Sequence, residues 1–248
     1  MAPSSGGAPR VGIVVGAGAS AGLGGALCRR MARAGLHVVA VGRTPAKLEA
    51  LAREVRELGG EATPLSADCT REEEVVRIFD RAEALGGPPE LVVYNAGNNR
   101  FRPLLEMDVP FVEELWRTCF LGGFLVGREA ARRMLPRGGT LIFTGATASL
   151  RARPPFTAFA AAKHAERALA HGMAREFGPA GLHVAHVVID GVIDGDQVNS
   201  RFPELRRARG EGGMLRPDAI AEVYWQIHCQ DPTAWTLELD LRPSREPF

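Results

Sequence analysis

The chain reads as an α/β protein built on a doubly wound parallel sheet of about seven strands, with helices on both faces. A β-branched run at residues 11–15 (VGIVV) passes through a glycine-rich turn into a helical pattern at 23–31, and a second apolar run follows at 37–41. Strand, glycines, helix and strand make one βαβ unit. Short apolar runs then alternate with longer helical patterns to the end of the chain, as a parallel sheet with crossover helices requires. The 248 residues, 46% hydrophobic, suffice for one large domain with a sizeable core. Residues 10–248 are expected to form that single domain and residues 1–9, MAPSSGGAP, a flexible tail.

The first turn is the most informative stretch. Gly18, Gly22 and Gly24 let the backbone bend tightly and approach a pyrophosphate, whose charge the amides of a helix N-terminus then meet. Ser20 adds a hydroxyl and Leu23 opens the helix, so both join the glycines as candidate cofactor contacts. A glycine-loosened turn with no ligand is the plainer alternative, and the complete βαβ unit argues against it.

The strand at 37–41 ends in Gly42-Arg43, and a helix with leucines at 48, 51 and 58 follows over 45–58. An acidic residue at this strand end would hold ribose hydroxyls and select NAD, whereas an arginine suits a 2′-phosphate. Arg43 therefore favours NADP(H) over NAD(H), against the bland reading of a solvated surface arginine. The third strand, 61–65, is short and interrupted by Pro64; a helix starting near residue 71 follows, with Asp68 or Thr70 able to cap it. A fourth strand at 91–94 leads into Asn95-Ala96-Gly97 and a polar loop over 98–103. Residues 111–135 read as one long helix, with Leu115, Phe120, Leu125 and Met134 as its apolar positions. A fifth strand at 141–144, an alanine-rich helix at 156–177 and a sixth strand at 182–189 come next. The charged segment 196–213, a helix at 217–230 and a strand at 235–241 complete the chain.

Composition excludes several partners. A net charge of +1 and a pI near 7.8 supply no basic field for nucleic acid or an anionic membrane. No stretch approaches a membrane span and the first residues lack the apolar core of a signal peptide, so a cytoplasmic protein is expected. Cys28, Cys69, Cys119 and Cys229 have no paired ligand spacing, which predicts reduced thiols and no metal site. Lysine occurs only at Lys47 and Lys163, so a lysine inside a candidate site is notable.

Ala17-Gly18-x-x-x-Gly22-x-Gly24 resembles the TGxxxGxG turn of the short-chain dehydrogenase/reductase family, with Ala17 at the usual threonine. Tyr94-Asn95-Ala96-Gly97 is similar to that family's NNAG, and Phe159-Ala-Ala-Ala-Lys163 stands where it carries Tyr-x-x-x-Lys. The resemblance covers nearly the whole chain. It implies a Rossmann-type fold, a nicotinamide cofactor and oxidoreductase chemistry. It also implies that Asp68 meets the adenine, that Asn95, Ala96 and Gly97 line the cofactor cleft, and that Lys163 holds the nicotinamide ribose.

The same resemblance exposes departures. The family's tyrosine gives a proton to the substrate oxygen, a serine thirteen residues earlier holds that oxygen, and an asparagine anchors a water behind the lysine. Phe159, Ala146 and Cys119 occupy these positions, so only Lys163 of the usual four remains. Thr147 is the preferred substitute for the missing serine, with Thr144 and Ser149 nearby; His164 is a weaker candidate acid, because it points about 100° round the helix from Lys163. The other tyrosines, Tyr94 and Tyr224, do not obviously replace the phenol. Asp190-Gly191 stands at the usual Pro-Gly and Gly195 at a usual threonine; Asp190 and Asp194 are polar loop residues or a substitute acid–base pair.

Segment 196–213 resembles the family's substrate lid, and a homodimer or homotetramer is implied. Three functions follow: an NADP-dependent oxidoreductase with a non-standard site acting on an unknown small molecule, a catalytically silent cofactor-binding sensor or scaffold, and a non-redox enzyme on the same fold.

Overall fold

The computed structural model describes residues 8–97 and 99–246, so most of the expected tail and Asn98 lie outside the described residues. Seven strands pair in the order β3-β2-β1-β4-β5-β6-β7, every neighbour parallel. They are β1 (Val11–Val15), β2 (His37–Gly42), β3 (Glu61–Ser66), β4 (Leu91–Tyr94), β5 (Gly139–Thr144), β6 (Leu182–Ile189) and β7 (Glu238–Leu241). Pro64, which lacks an N–H, is tolerated because β3 is the sheet edge. The order reverses between β1 and β4, and the crevice beyond their carboxyl ends is where such a sheet receives ligands.

Alternating side chains divide the core between two faces. Val14, Val38 and Val93 meet α1 (Leu23–Arg33), α2 (Pro45–Glu57) and α9 (Pro217–His228). Val11, Ile13, Val15 and Val92 meet α3 (Glu72–Gly86), α5 (Gly122–Met134) and α6 (Thr157–Phe177). Phe111, Leu115, Cys119, Phe159 and Ala162 form a third, smaller cluster at the carboxyl end of the sheet. Among the described residues no helix is long and apolar enough to cross a membrane.

The continuous helix expected over 111–135 is interrupted. It divides into α4 (Val109–Trp116), a π-helical turn at Arg117–Leu121, and α5. A π-turn shifts the hydrogen-bond register, and here the Thr118 carbonyl accepts from the buried Tyr94 hydroxyl. Gly122 makes room for that phenol: a Cβ there would lie 2.5 Å from the Tyr94 oxygen.

The charged segment 196–213 contains two short helices, α7 (Asp196–Arg201) and α8 (Pro203–Arg209). The last strand begins at Glu238 rather than 235, after a 3₁₀ turn at Pro232–Ala234.

Glu238 fastens β7 to the rest. Its carboxylate accepts from Arg167 at 2.6 and 2.7 Å, from His171 at 3.0 Å and from His186 at 2.9 Å. The Arg167 guanidinium holds the Glu238 carboxyl down to about 2, against partial burial, with His186 and His171 adding to the effect. Its folded pKa lies below the unfolded value near 4.3, so the stability it contributes is present above that value and is lost as pH falls towards 2. Glu238→Gln is expected to remove part of that acid limb; urea unfolding midpoints between about pH 2.5 and 7 check it, and parallel curves for the two proteins would refute it.

Candidate functional site

A cleft of about 640 Å³ opens at the carboxyl ends of β1, β2, β4 and β5. Its first wall is the turn between β1 and α1. Gly16 and Gly18 adopt φ +90° and +64°, and a Cβ on Gly16 would sit 2.5 Å from the Ala96 amide nitrogen. Gly24 brings α1 against the turn so closely that a Cβ there would sit 2.3 Å from the Ala17 carbonyl oxygen. The helix opens after Gly22 with no side-chain cap and no acidic residue in its first turn. Its uncapped amides and partial positive charge therefore suit an anion in the cleft. Asn95 braces the floor by donating from Nδ2 to the Gly16 carbonyl at 2.9 Å, and Ala96 and Gly97 continue that wall.

One end of the cleft is cationic. Arg43 and Lys47 are exposed where β2 passes into α2, and Arg201 of α7 lines the same cleft. Asp68 stands beside them, its Oδ1 accepting from the Thr70 amide at 3.0 Å and hydroxyl at 2.9 Å. Partial burial pushes this carboxyl up, but Thr70, Arg43 and Arg71 together outweigh it and hold it below the ordinary carboxylate range. Asp68 is thus an anion able to accept a hydrogen bond.

At the other end Thr144, Gly145, Ala146, Phe159 and Lys163 converge. The Lys163 Nζ donates to the Thr144 carbonyl at 2.9 Å and to Glu166 Oε2 at 2.7 Å. Phe159, 8% exposed, presents its ring on the same helix face as Lys163, four residues on. The Ser149 hydroxyl accepts from the Ala146 amide at 3.1 Å, and the Thr144 hydroxyl accepts from Tyr224 at 3.1 Å.

Several expected site residues fall elsewhere. Ser20 is not part of the cleft lining; its hydroxyl bonds Glu54 and accepts from Arg29 at 2.9 Å. Thr147, the expected substitute for the family's serine, is also outside the cleft lining and donates to Asp190 at 2.7 Å. Cys119 is buried among Phe111, Leu115 and Phe159 behind the cleft wall. His164 is exposed, with Nδ1 2.8 Å from the Ala160 carbonyl. Asp190 is no raised acid: burial pushes it up, yet Thr147, Arg242 and Arg151 lower it below the ordinary range. Asp194 pairs with Asn199 at 2.8 Å and with Arg206 at 3.5 Å, outside the cleft lining.

Conversely, Gly16, Lys47, Arg201 and Glu166 belong to this region and are not among the site residues singled out from the sequence. Gly16 directly follows a strand and Glu166 lies at i+3 from Lys163, which are signals a reader can use. Lys47 and Arg201 carry no motif.

A family model described as short chain dehydrogenase matches residues 12–205, from β1 through the cleft to α8. The protein described as uncharacterized oxidoreductase YuxG of Bacillus subtilis (strain 168) is 32% identical over 211 residues, covering 84% of this chain and 30% of that longer protein. The crystal structure of a short-chain dehydrogenase from Rhodopseudomonas palustris is 36% identical, with a TM-score of 0.80 over 94% of this chain and 98% of that one. A gluconate 5-dehydrogenase from Burkholderia cenocepacia J2315, solved in complex with NADP and tartrate, is 26% identical with a TM-score of 0.82, covering 94% of each chain. Sheet order, glycine turn and cleft thus coincide with a match over most of the sequence, and the chain belongs to the short-chain dehydrogenase family.

Proposed function

We propose that this protein is an NADP(H)-binding oxidoreductase of a small carbonyl or alcohol substrate, working without the family's tyrosine and serine. The observation that carries the reading is the pairing of an uncapped helix N-terminus behind glycines with Arg43 and Lys47 at the end of β2. Gly18 leaves a cradle in which a Cβ would meet only the Gly16 oxygen at 3.9 Å, so the backbone there is open to a phosphate. Gly18, Gly22, Leu23 and Gly24 would receive the pyrophosphate, Arg43 a 2′-phosphate, Asp68 the adenine and Lys163 the nicotinamide ribose. Asn95, Ala96 and Gly97 would complete the wall beside it. A nicotinamide bound there would supply or accept the hydride, and water or a polar group of the substrate would supply or take the balancing proton. The chain's own part is to orient the nicotinamide and to meet the substrate oxygen at the end lined by Ala146, Phe159 and Lys163.

A titration of NADPH and NADH tests this directly. NADPH is expected to bind at least tenfold more tightly. Arg43→Glu is expected to weaken NADPH by roughly 10- to 100-fold, the loss of a charge-assisted contact of about 1.5–3 kcal/mol, while leaving NADH nearly unchanged. Failure of both nucleotides to bind would overturn the reading.

A second reading, a cofactor-binding protein without carbonyl reduction, is favoured by one observation. The phenyl ring of Phe159 has no proton to give, and the nearby Thr147 hydroxyl is committed to Asp190. Consumption of NADPH against a panel of carbonyl compounds separates the two. A homodimer or homotetramer fits either, supported by Val112 and Trp116 exposed on α4, and so does a single domain over residues 10–248.

A further inference from the structure

Glu166 lies one helical turn beyond Lys163 on α6 and has no exposed surface. Its Oε2 accepts from the Lys163 Nζ at 2.7 Å, and its Oε1 has no hydrogen-bond partner among the described residues. The same Nζ is anchored on the far side by the Thr144 carbonyl of β5 at 2.9 Å. The other titratable groups facing the pair come from three elements. Tyr94 of β4 and Tyr224 of α9 both feel the Glu166 charge, and burial first of all holds both phenols neutral. His186 of β6 faces Lys163, and burial pushes its ring down to about 4, so it is neutral at pH 7.

Lys163 is therefore the cation opposite Glu166, and these neighbours leave the second carboxyl oxygen bare. An ionised carboxylate with an unmet oxygen at a fully buried position is costly, and a proton on that oxygen lowers the cost. Burial accordingly pushes the Glu166 carboxyl up to about 7, with Lys163 opposing the rise.

We propose that Glu166 is a proton reservoir beneath the cleft: it holds Lys163 against the Thr144 carbonyl, and it takes a proton from solvent when a ligand hydroxyl draws the Lys163 ammonium away. Glu166 is a positioning residue, because it acts on the ligand only through Lys163, which lines the cleft. The step forms one O–H bond on Glu166 with a proton from the buffer. Lys163 remains an ammonium, and nothing is oxidised or reduced. The bound state carries more protons than the free state, so affinity rises as pH falls, by at most tenfold per pH unit for one proton. The inference rests on the reading that a nicotinamide nucleotide occupies the cleft, since its ribose supplies the hydroxyl.

Calorimetric titration with NADPH at about pH 7.5, in two buffers of unlike ionisation enthalpy, counts the protons taken up. The wild-type protein is expected to take up a substantial fraction of one proton more than Glu166→Gln. The ligand's own 2′-phosphate cancels in this difference. With 2′,5′-ADP, which lacks the nicotinamide ribose, the two proteins are expected to agree. Equal proton counts on NADPH would overturn the proposal.

If NADPH binds neither protein, the functional reading fails and the infrared carboxyl band decides whether Glu166 holds a proton. A protonated-carboxyl band in the wild type that titrates near neutrality and is missing from Glu166→Gln supports the reservoir, and no such band refutes it. Should Glu166→Gln not fold, the same band followed in the wild type as NADPH is added reads the uptake directly, and an unchanged band counts against it.

Discussion

Gly24→Ala is expected to lower folding stability by about 3 kcal/mol and to abolish measurable NADPH binding. The added Cβ would meet the Ala17 carbonyl oxygen at 2.3 Å and the Gly16 carbonyl oxygen at 2.4 Å, both backbone atoms that cannot swing aside. Relief requires α1 to move off the turn, which also withdraws the amides that face the cleft. Gly18→Ala provides the contrast. Space is open there, and only its φ of +64° opposes a side chain, a cost of about 1–2 kcal/mol. Urea unfolding together with nucleotide titration checks both, and a Gly24→Ala protein with unchanged stability and affinity would show that the turn does not form the site.

Ala146→Ser combined with Phe159→Tyr is expected to raise NADPH-dependent carbonyl reduction by about 10²- to 10⁴-fold, the usual worth of a positioned general acid. Both positions line the cleft beside Lys163. A phenol at 159 would share the helix face of the ammonium four residues on, and Ser149 already fixes the Ala146 amide. On the proposed reading, the phenol and the hydroxyl are what the cleft beside Lys163 lacks for this chemistry. Steady-state rates on generic ketones and aldehydes decide the matter. If the rate does not change, the Lys163 ammonium, held between the Thr144 carbonyl and Glu166, is not free to lower the phenol's pKa.

These two outcomes bear on different halves of the cleft. The first is expected to disturb the backbone geometry of the glycine turn, and the second to change side-chain chemistry beside Lys163 while leaving the fold intact.

The strands, most helix positions, and the glycine turn and Arg43 that line one part of the cleft were legible in the sequence. These rest on local patterns: a β-branched run at 11–15, glycines at 18, 22 and 24, and a single arginine after the second strand. Period-2 and period-3.6 burial and glycine's conformational freedom operate over a few residues, so they are legible without the fold. That Phe159 stands where the family carries its tyrosine was legible from the resemblance, four residues before Lys163.

Other placements depend on contacts made only in the folded chain. The π-turn at Arg117–Leu121 accompanies the Tyr94 hydroxyl, which arrives from another strand to meet Thr118. Ser20 is engaged by Glu54 and Arg29, and Thr147 by Asp190 from the end of the sixth strand. Glu166 reads as one more helix-surface acid until packing leaves it fully buried near Tyr94 of β4 and Tyr224 of α9. Side-chain commitment of this kind is set by partners distant in sequence, and hydrogen-bond geometry and desolvation select among them only once the chain has packed.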